Sequence, residues 1–142
     1  MITMGYTTAR GRGVFATAFI PAGTLLEEAP VIVVPSEQLE SIKNTILFEY
    51  FFQWKVDGHD GCAICLGHGS LYNHSSTQPN ARYVRLYSEL KIRFVALRDI
   101  RQGEEILTNY NGDAECRRPL WFEETSDVTR GACLNAPRTR AS

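Results

Sequence analysis

Apolar positions in this chain fall mostly in short runs broken by polar, Gly and Pro residues, the pattern of a sheet-rich fold. Val14-Phe15-Ala16 is one run, and Ile20-Pro21-Ala22-Gly23-Thr24 after it reads as a turn. Leu25 to Val34 carries β-branched stretches and stops at Pro35. Cys62 to Leu66 predicts a buried strand, ended by Gly67-His68-Gly69. Ala81 to Tyr87 and Leu90 to Leu97 predict a strand pair. Asp99 to Glu104 predicts a turn and Glu105 to Thr108 a further strand. One segment has a different period. Leu39, Ile42, Ile46, Leu47, Tyr50, Phe51 and Trp54 recur at three- and four-residue spacings. The spacing predicts an amphipathic helix from about Glu37 to Trp54, N-capped by Ser36. Asp57 to Gly61 then reads as a polar loop. The expected class is mainly β, with one main helix.

Two stretches resemble each other. Phe19 to Leu26 and Asp99 to Leu107 both have Ile, Gly three residues later, and an aliphatic residue three after that. Strand–turn–strand units often look alike, so the local likeness is weak. Together the two units predict a fold assembled from short hairpins. From Gly112 the pattern fades, and residues 123–142 read as a loose tail.

Composition narrows the classes. A chain of 142 residues suits one domain. A net charge of −1 gives no basic excess of the kind nucleic-acid binders show, so no direct nucleic-acid partner is expected. No apolar run approaches the ~20 residues of a membrane span. Met1 to Arg10 lacks the charged and apolar regions of a signal peptide. Cys62, Cys65, Cys116 and Cys133 are too few and scattered for a disulfide framework. These features predict a reducing, soluble compartment.

Three segments could carry chemistry. Gly11-Arg12-Gly13-Val14-Phe15-Ala16 formally fits a dinucleotide fingerprint, but no apolar strand precedes it and Pro21 and Gly23 block a following helix. What survives is a turn whose backbone can approach a ligand closely. Asn73-His74-Ser75-Ser76-Thr77-Gln78-Pro79-Asn80 follows an apolar strand and a Gly-rich turn; it fits a binding loop or a plain polar loop with an Asx-turn at Asn80. Gly103-Glu104-Glu105-Ile106-Leu107-Thr108-Asn109-Tyr110-Asn111, taken alone, reads as a turn and an edge strand. Cys62-x-x-Cys65 invites a metal or redox reading. Residues three apart on a strand face opposite ways, and no second ligand pair is suitably spaced, so two small core residues are expected.

In this order and spacing, the three segments resemble the SET domain family of protein lysine methyltransferases, over about residues 8–122. Gly11 to Ala16 is similar to its first G-x-G motif. Leu71-Tyr72-Asn73-His74-Ser75 with Pro79-Asn80 resembles its N-H-S-C-x-P-N signature. Gly103-Glu104-Glu105-Ile106 with Asn109-Tyr110 resembles its G-E-E-L-x-x-D-Y signature. The short form is similar to bacterial and viral members without pre-SET domains. There are departures: Ser76-Thr77-Gln78 makes the second signature one residue longer. Ser76 stands where many members have a zinc-binding cysteine, and no Cys-x-Cys-x4-Cys cluster follows Tyr110. Thr108 occupies a position usually held by Phe or Tyr.

The resemblance implies a SET fold of several small β-clip-like sheets with a C-terminal pseudoknot. It implies residues 1–122 as the domain, closed by an aromatic segment, and 123–142 as the tail. It implies methyl transfer from S-adenosylmethionine to a lysine side-chain amine, leaving S-adenosylhomocysteine, with no metal. Tyr110 would be catalytic. Gly11, Arg12, Gly13, Asn73, His74, Tyr110 and Trp121 would hold the cofactor, with His68 near it or structural. Tyr50, Tyr72, Thr108 and Phe122 would line the lysine channel, and the small Thr108 would leave room for di- or trimethylation. The implied partner is a lysine-bearing protein, a histone tail among the candidates. A monomer or homodimer in cytoplasm or nucleus is expected, with a host nucleus as the site if the source is bacterial or viral. The alternative is a SET-fold binding module without efficient turnover.

Overall fold

A computed structural model describes residues 1–110, which form nine strands and little helix. The strands are β1 (Ile2–Thr7), β2 (Gly11–Ala16), β3 (Leu25–Val34), β4 (Phe51–Val56), β5 (His59–Cys65), β6 (Asn73–His74), β7 (Ala81–Leu86), β8 (Lys91–Ala96) and β9 (Glu105–Thr108). They form a four-stranded sheet in the order β1-β2-β9-β6 and a five-stranded sheet in the order β4-β5-β3-β8-β7. Neighbouring strands run antiparallel except β6 and β9, which are parallel.

Period-2 alternation fixes which residues face inward. Ala29 and Val31 of β3, Ala63 and Cys65 of β5, Ile92 and Phe94 of β8, and Ala81 and Tyr83 of β7 are all buried in one core. The two edges of the larger sheet also meet across that core. Phe52 of β4 packs edge-on against Tyr83 of β7 (5.2 Å), and Arg85 Nε donates to the Gln53 carbonyl (2.7 Å). These side-chain contacts curl the sheet round its core and cover backbone edges that would otherwise be open to pairing.

The paired Ile-x-x-Gly units have a structural meaning. Ile20 and Ile100, both fully buried, form an antiparallel bridge and exchange N–H···O bonds of 2.8 Å in both directions. Around this bridge the bonds repeat. Gly23 N–H donates to Ala96 and Gly103 N–H to Ala16, each at 2.8 Å; Ala96 N–H donates to Thr24 (2.9 Å) and Ala16 N–H to Glu104 (3.0 Å). Partners are related by one constant sequence offset, so the local likeness reflects a pseudo-two-fold that staples the two sheets together.

The helix expected from Glu37 to Trp54 is corrected by the structure. Its first part is a 3-10 turn at Ser36–Gln38, a short helix α1 (Leu39–Lys43) and a 3-10 turn at Ile46–Glu49; none of them contains a buried residue. The Thr45 hydroxyl ends α1 by donating to the Ile42 carbonyl (2.8 Å) and starts the next turn by accepting from Leu47 N–H (3.2 Å). From Phe51 on, the same residues also fit period 2. Phe52 and Trp54 are buried by pairing with Ala63 and Gly61 of β5, a gain the isolated helix could not offer. The expected loop at Asp57–Gly61 is corrected too. Asp57 (φ 49°) and Gly58 (φ 79°) are a two-residue hairpin turn with positive φ at both positions, and His59–Gly61 already belong to β5. β1 is an additional strand where polar residues gave no expectation. Trp121, Phe122, the boundary at 122, the tail and the rest of the expected pseudoknot lie outside the described residues.

Candidate active site

β9 is the spine of the site. It pairs antiparallel with β2 through Val14–Ile106 and parallel with β6 through Asn73–Leu107 and His74–Thr108. The three motifs, distant in sequence, thus become neighbouring strands of one small sheet.

Asn73 Nδ2 donates to the Arg12 carbonyl and to Glu105 Oε1, each at 2.8 Å. One amide therefore ties the Gly11–Gly13 turn to β9. Gly13 is required at this junction: a Cβ there would lie 2.8 Å from Asn73 Nδ2 and collide with Glu105 Oε1. Arg10 Nη1 closes the cluster on Glu105 Oε2 at 3.2 Å. The Arg12 side chain is exposed.

His74 is buried, and its Nδ1 accepts the Tyr110 backbone N–H at 3.0 Å. An accepting ring nitrogen carries no proton, so the neutral ring bears its proton on Nε2. The rings of His74 and Tyr110 lie 5.0 Å apart. Tyr110 is 7% exposed; its hydroxyl donates to the Tyr72 carbonyl at 2.6 Å, and its own carbonyl accepts from the Tyr83 hydroxyl at 2.9 Å. The tyrosine is thus held at backbone N–H, carbonyl and hydroxyl. Thr108 is fully enclosed, and its carbonyl accepts Ser75 N–H (3.0 Å).

The other expected positions are distributed differently. The Tyr72 ring is buried and stacked on Phe94 (4.3 Å between centroids), with its hydroxyl donating to Glu27 Oε1 at 2.8 Å. Burial and the nearby Glu27 carboxylate push its phenol far above the ordinary range, so it stays neutral. What Tyr72 presents to Tyr110 is therefore a carbonyl. Tyr50 does not lie on a helix; it is half-buried between the second 3-10 turn and β4, and its carbonyl accepts from Ser70 Oγ (3.1 Å). His68 is anchored on Glu27, its Nδ1 at 3.8 Å from Oε1. Cys62 and Cys65 are buried free thiols, with burial raising them to about 11 and about 12. Among the described residues no cluster of His, Cys, Asp and Glu suits a metal ion. Nor is any helix there long and apolar enough to cross a membrane.

Sequence reasoning gives Glu105 and Tyr83 no role, reads Asn80 as a turn residue, and offers Glu27, with Glu28, Asp57 and Asp60, only as an acidic residue that could meet a basic peptide. Asn80 forms no Asx-turn. Its Nδ2 donates to the Glu105 carbonyl (2.8 Å) and Glu104 Oε1 (3.2 Å), and its Oδ1 accepts Leu107 N–H (2.8 Å). Glu105 and Asn80 lie within the recognised motifs, so the signal for them was present. Tyr83 and Glu27 sit on strands outside any motif.

The arrangement is a buried tyrosine hydroxyl beside a backbone carbonyl, a neutral histidine and a glycine turn locked by an asparagine. The sequence profile of the SET domain family matches residues 11–111. A Schizosaccharomyces pombe histone-lysine N-methyltransferase, specific for H3 lysine-37, is 38% identical over 126 residues, covering 87% of this chain and 79% of its own. A candidate histone methyltransferase of Plasmodium falciparum shares the fold with a TM-score of 0.58 at 25% identity, covering 77% of this chain and 91% of that one. A humanised Chaetomium thermophilum Polycomb Repressive Complex 2 superposes with a TM-score of 0.59 at 24% identity, over 78% of this chain and 15% of that one. The chain has the mainly-β SET fold and belongs to the SET-domain family. It is a protein-lysine N-methyltransferase, of a family that uses S-adenosylmethionine.

Proposed function

We propose that this chain methylates a lysine of a histone, with Tyr110 as the catalytic residue. The observation that carries the reading is the hydroxyl of Tyr110, buried and committed to the Tyr72 carbonyl. A phenol has one O–H to donate. With that donor used, the oxygen is left as an acceptor, suited to take an N–H from a lysine amine and hold its lone pair in one direction. Such alignment supplies a large part of a displacement's rate.

The cofactor fits the cradle. The missing Cβ of Gly13 lets Asn73 and Glu105 lock the turn, and nothing lies within 4 Å of where a Gly11 side chain would start. Gly11, Arg12, Gly13, Asn73, His74 and Tyr110 would hold it, with Trp121 covering one side. When bound, S-adenosylmethionine supplies a methyl on a sulfonium, which leaves as S-adenosylhomocysteine while the lysine nitrogen takes the methyl. Lysine is mostly charged at neutral pH, with a pKa of roughly 10.4. An apolar channel lined by Tyr50 and Thr108 would favour its neutral form, and Phe122, outside the described residues, is expected to line it too. Thr108 leaves volume for more than one methyl group. No metal takes part, residues 1–122 form the working unit, and the protein acts in the nucleus as a monomer or homodimer. The named relative acts on histone H3, and that is the support for the substrate class.

The test is methyl transfer to recombinant histone H3 and its peptides, followed by mass spectrometry, with Tyr110→Phe as the comparison. The expected results are di- or trimethyl product and a loss of about 100-fold or more in kcat with Y110F. Wild-type turnover by Y110F would remove the catalytic role. Only monomethyl product at saturation would remove the role given to Thr108. Cofactor binding without transfer to any lysine-bearing protein would favour the binding-module reading.

A further inference from the structure

A carboxylate is built into the wall of the core behind the candidate catalytic tyrosine. Glu27 lies on β3, whose register against β8 shifts between Leu25 and Glu27. Ala29 and Val31 of β3 face the core, so period-2 alternation sets Glu27 on the same inner side. It pairs opposite Phe94, beside a bulge at which Leu26 is buried as well. The surroundings are shaped to receive it. A Cβ on Gly67 would stand 2.7 Å from Glu27 Oε2, and His68 backbone N–H donates to that oxygen at 3.3 Å. Among the described residues no lysine or arginine pairs with it, whereas adjacent Glu28 takes Arg93 and Lys91. A carboxyl group drawn inward without such a partner is costly unless it is hydrogen-bonded, and its bonds are to Tyr72 and the His68 backbone.

The other oxygen shows what Glu27 does. Oε1 accepts the Tyr72 hydroxyl at 2.8 Å, and the Tyr72 carbonyl accepts the Tyr110 hydroxyl at 2.6 Å. Tyr72 thus behaves as a rigid lever. Its ring is clamped flat on Phe94, its tip is held by the bond to Glu27, and its backbone carbonyl holds the Tyr110 hydroxyl. We propose that Glu27 is a positioning residue for methyl transfer, fixing the Tyr72 carbonyl, and through it the Tyr110 hydroxyl, by way of the Tyr72 side chain. This rests on the reading of Tyr110 as the catalytic residue. Glu27 itself touches neither cofactor nor lysine in this role. Displacement of a reacting geometry by ~1 Å can cost about 100-fold in rate, so the lever need only slip slightly to be felt.

The test uses the full chain as E27L, E27Q, Y72F and the E27L/Y72F double variant, with histone H3 as substrate. E27L and Y72F are expected to lose about tenfold or more in kcat, with peptide KM and cofactor Kd within about twofold of wild type. E27Q, whose amide oxygen can accept the same bond, is expected to recover to within about threefold. The double variant should be no worse than the poorer single one, since both break one bond. A second readout needs no turnover. The 13Cζ resonance of Tyr110, assigned by its absence in Y110F, should move in E27L and Y72F and stay in E27Q. If E27L does not fold, Y72F carries both measurements. Wild-type kcat and an unmoved Tyr110 resonance in folded Y72F would overturn the proposal, and so would E27Q as impaired as E27L. If Y110F keeps wild-type turnover, the catalytic reading of Tyr110 fails, and the proposed role of Glu27 in transfer fails with it. The NMR shift would then report only whether the physical linkage exists.

Discussion

Replacing Asn80 with Ala should cost more stability than its small volume suggests. The side chain is 1% exposed and makes three bonds, to Leu107 N–H, the Glu105 carbonyl and Glu104 Oε1. Two of these satisfy backbone groups of β9, whose antiparallel register with β2 covers only Val14–Ile106 and Phe15–Glu105. In N80A the Leu107 N–H and the Glu105 carbonyl lose their side-chain partners. Each such loss costs about 1–3 kcal/mol when the group is fully buried. Both bonds here are part-buried, so the lower half applies, and the sum is about 2–4 kcal/mol. For a chain of this size each kcal/mol moves Tm by roughly 3–4 °C, giving a fall of roughly 6–16 °C. Urea unfolding followed by far-UV circular dichroism measures the free energy, and a thermal scan the midpoint. N80D is the discriminating companion. It keeps an acceptor for Leu107 N–H but loses the donor to Glu105, and sets a second carboxylate beside Glu104. It should be no more stable than N80A at neutral pH. A cost below about 1 kcal/mol for N80A, or a wild-type N80D, would show that water or a shifted strand replaces the amide and that the clamp is not what holds β9.

Three further outcomes follow from the geometry. Gly13→Ala should weaken S-adenosylmethionine binding about tenfold or more by calorimetry, because its Cβ forces Asn73 and Glu105 apart; unchanged affinity would separate the turn from the cofactor site. At Glu104 burial pushes the carboxyl up, but hydrogen bonds from Arg101 N–H, Arg98 and Asn80 outweigh it and leave the folded value below 4.5. A depressed folded value means stability present above the unfolded pKa and lost as pH falls through the folded one. Glu104→Gln should therefore flatten the acid limb of a stability–pH curve below about pH 4.5, and a parallel curve would contradict this. Cys62 and Cys65, raised to about 11 and about 12, should resist iodoacetamide at pH 8 in the native state and react in denaturant. Native labelling as fast as in the unfolded chain, mapped by peptide mass spectrometry, would refute their burial.

The sequence was readable where one period had no rival. Lys91–Ala96 alternates cleanly, and Glu105–Thr108 is bracketed by Gly103 and the Asn109–Tyr110 motif, so both strands lie where the pattern sets them. It misled where two periods coexist. Tyr50 to Val56 satisfies a helical stripe and a strand equally well, and only the Asp57-Gly58 turn, which delivers β5 as a partner, decides between them. The site divides in the same way. Asn73, His74 and Tyr110 were legible because their types recur in fixed local order. Their function as a unit was not, since β6 meets β9 in parallel across more than thirty intervening residues and no local rule sets that register.

Glu27 shows the limit most sharply. In sequence it is one of two adjacent glutamates on a strand, and its charge gives no sign that it faces the core. Its place opposite Phe94 depends on the pairing of β3 with β8, a long-range contact. Its partner Tyr72 reads as an aromatic residue beside a binding motif, which suggests a channel wall. The fold instead places the ring in the core and turns the backbone to Tyr110. It is the carbonyl end of Tyr72 that meets Tyr110, while Phe94 and Glu27 hold its ring and hydroxyl.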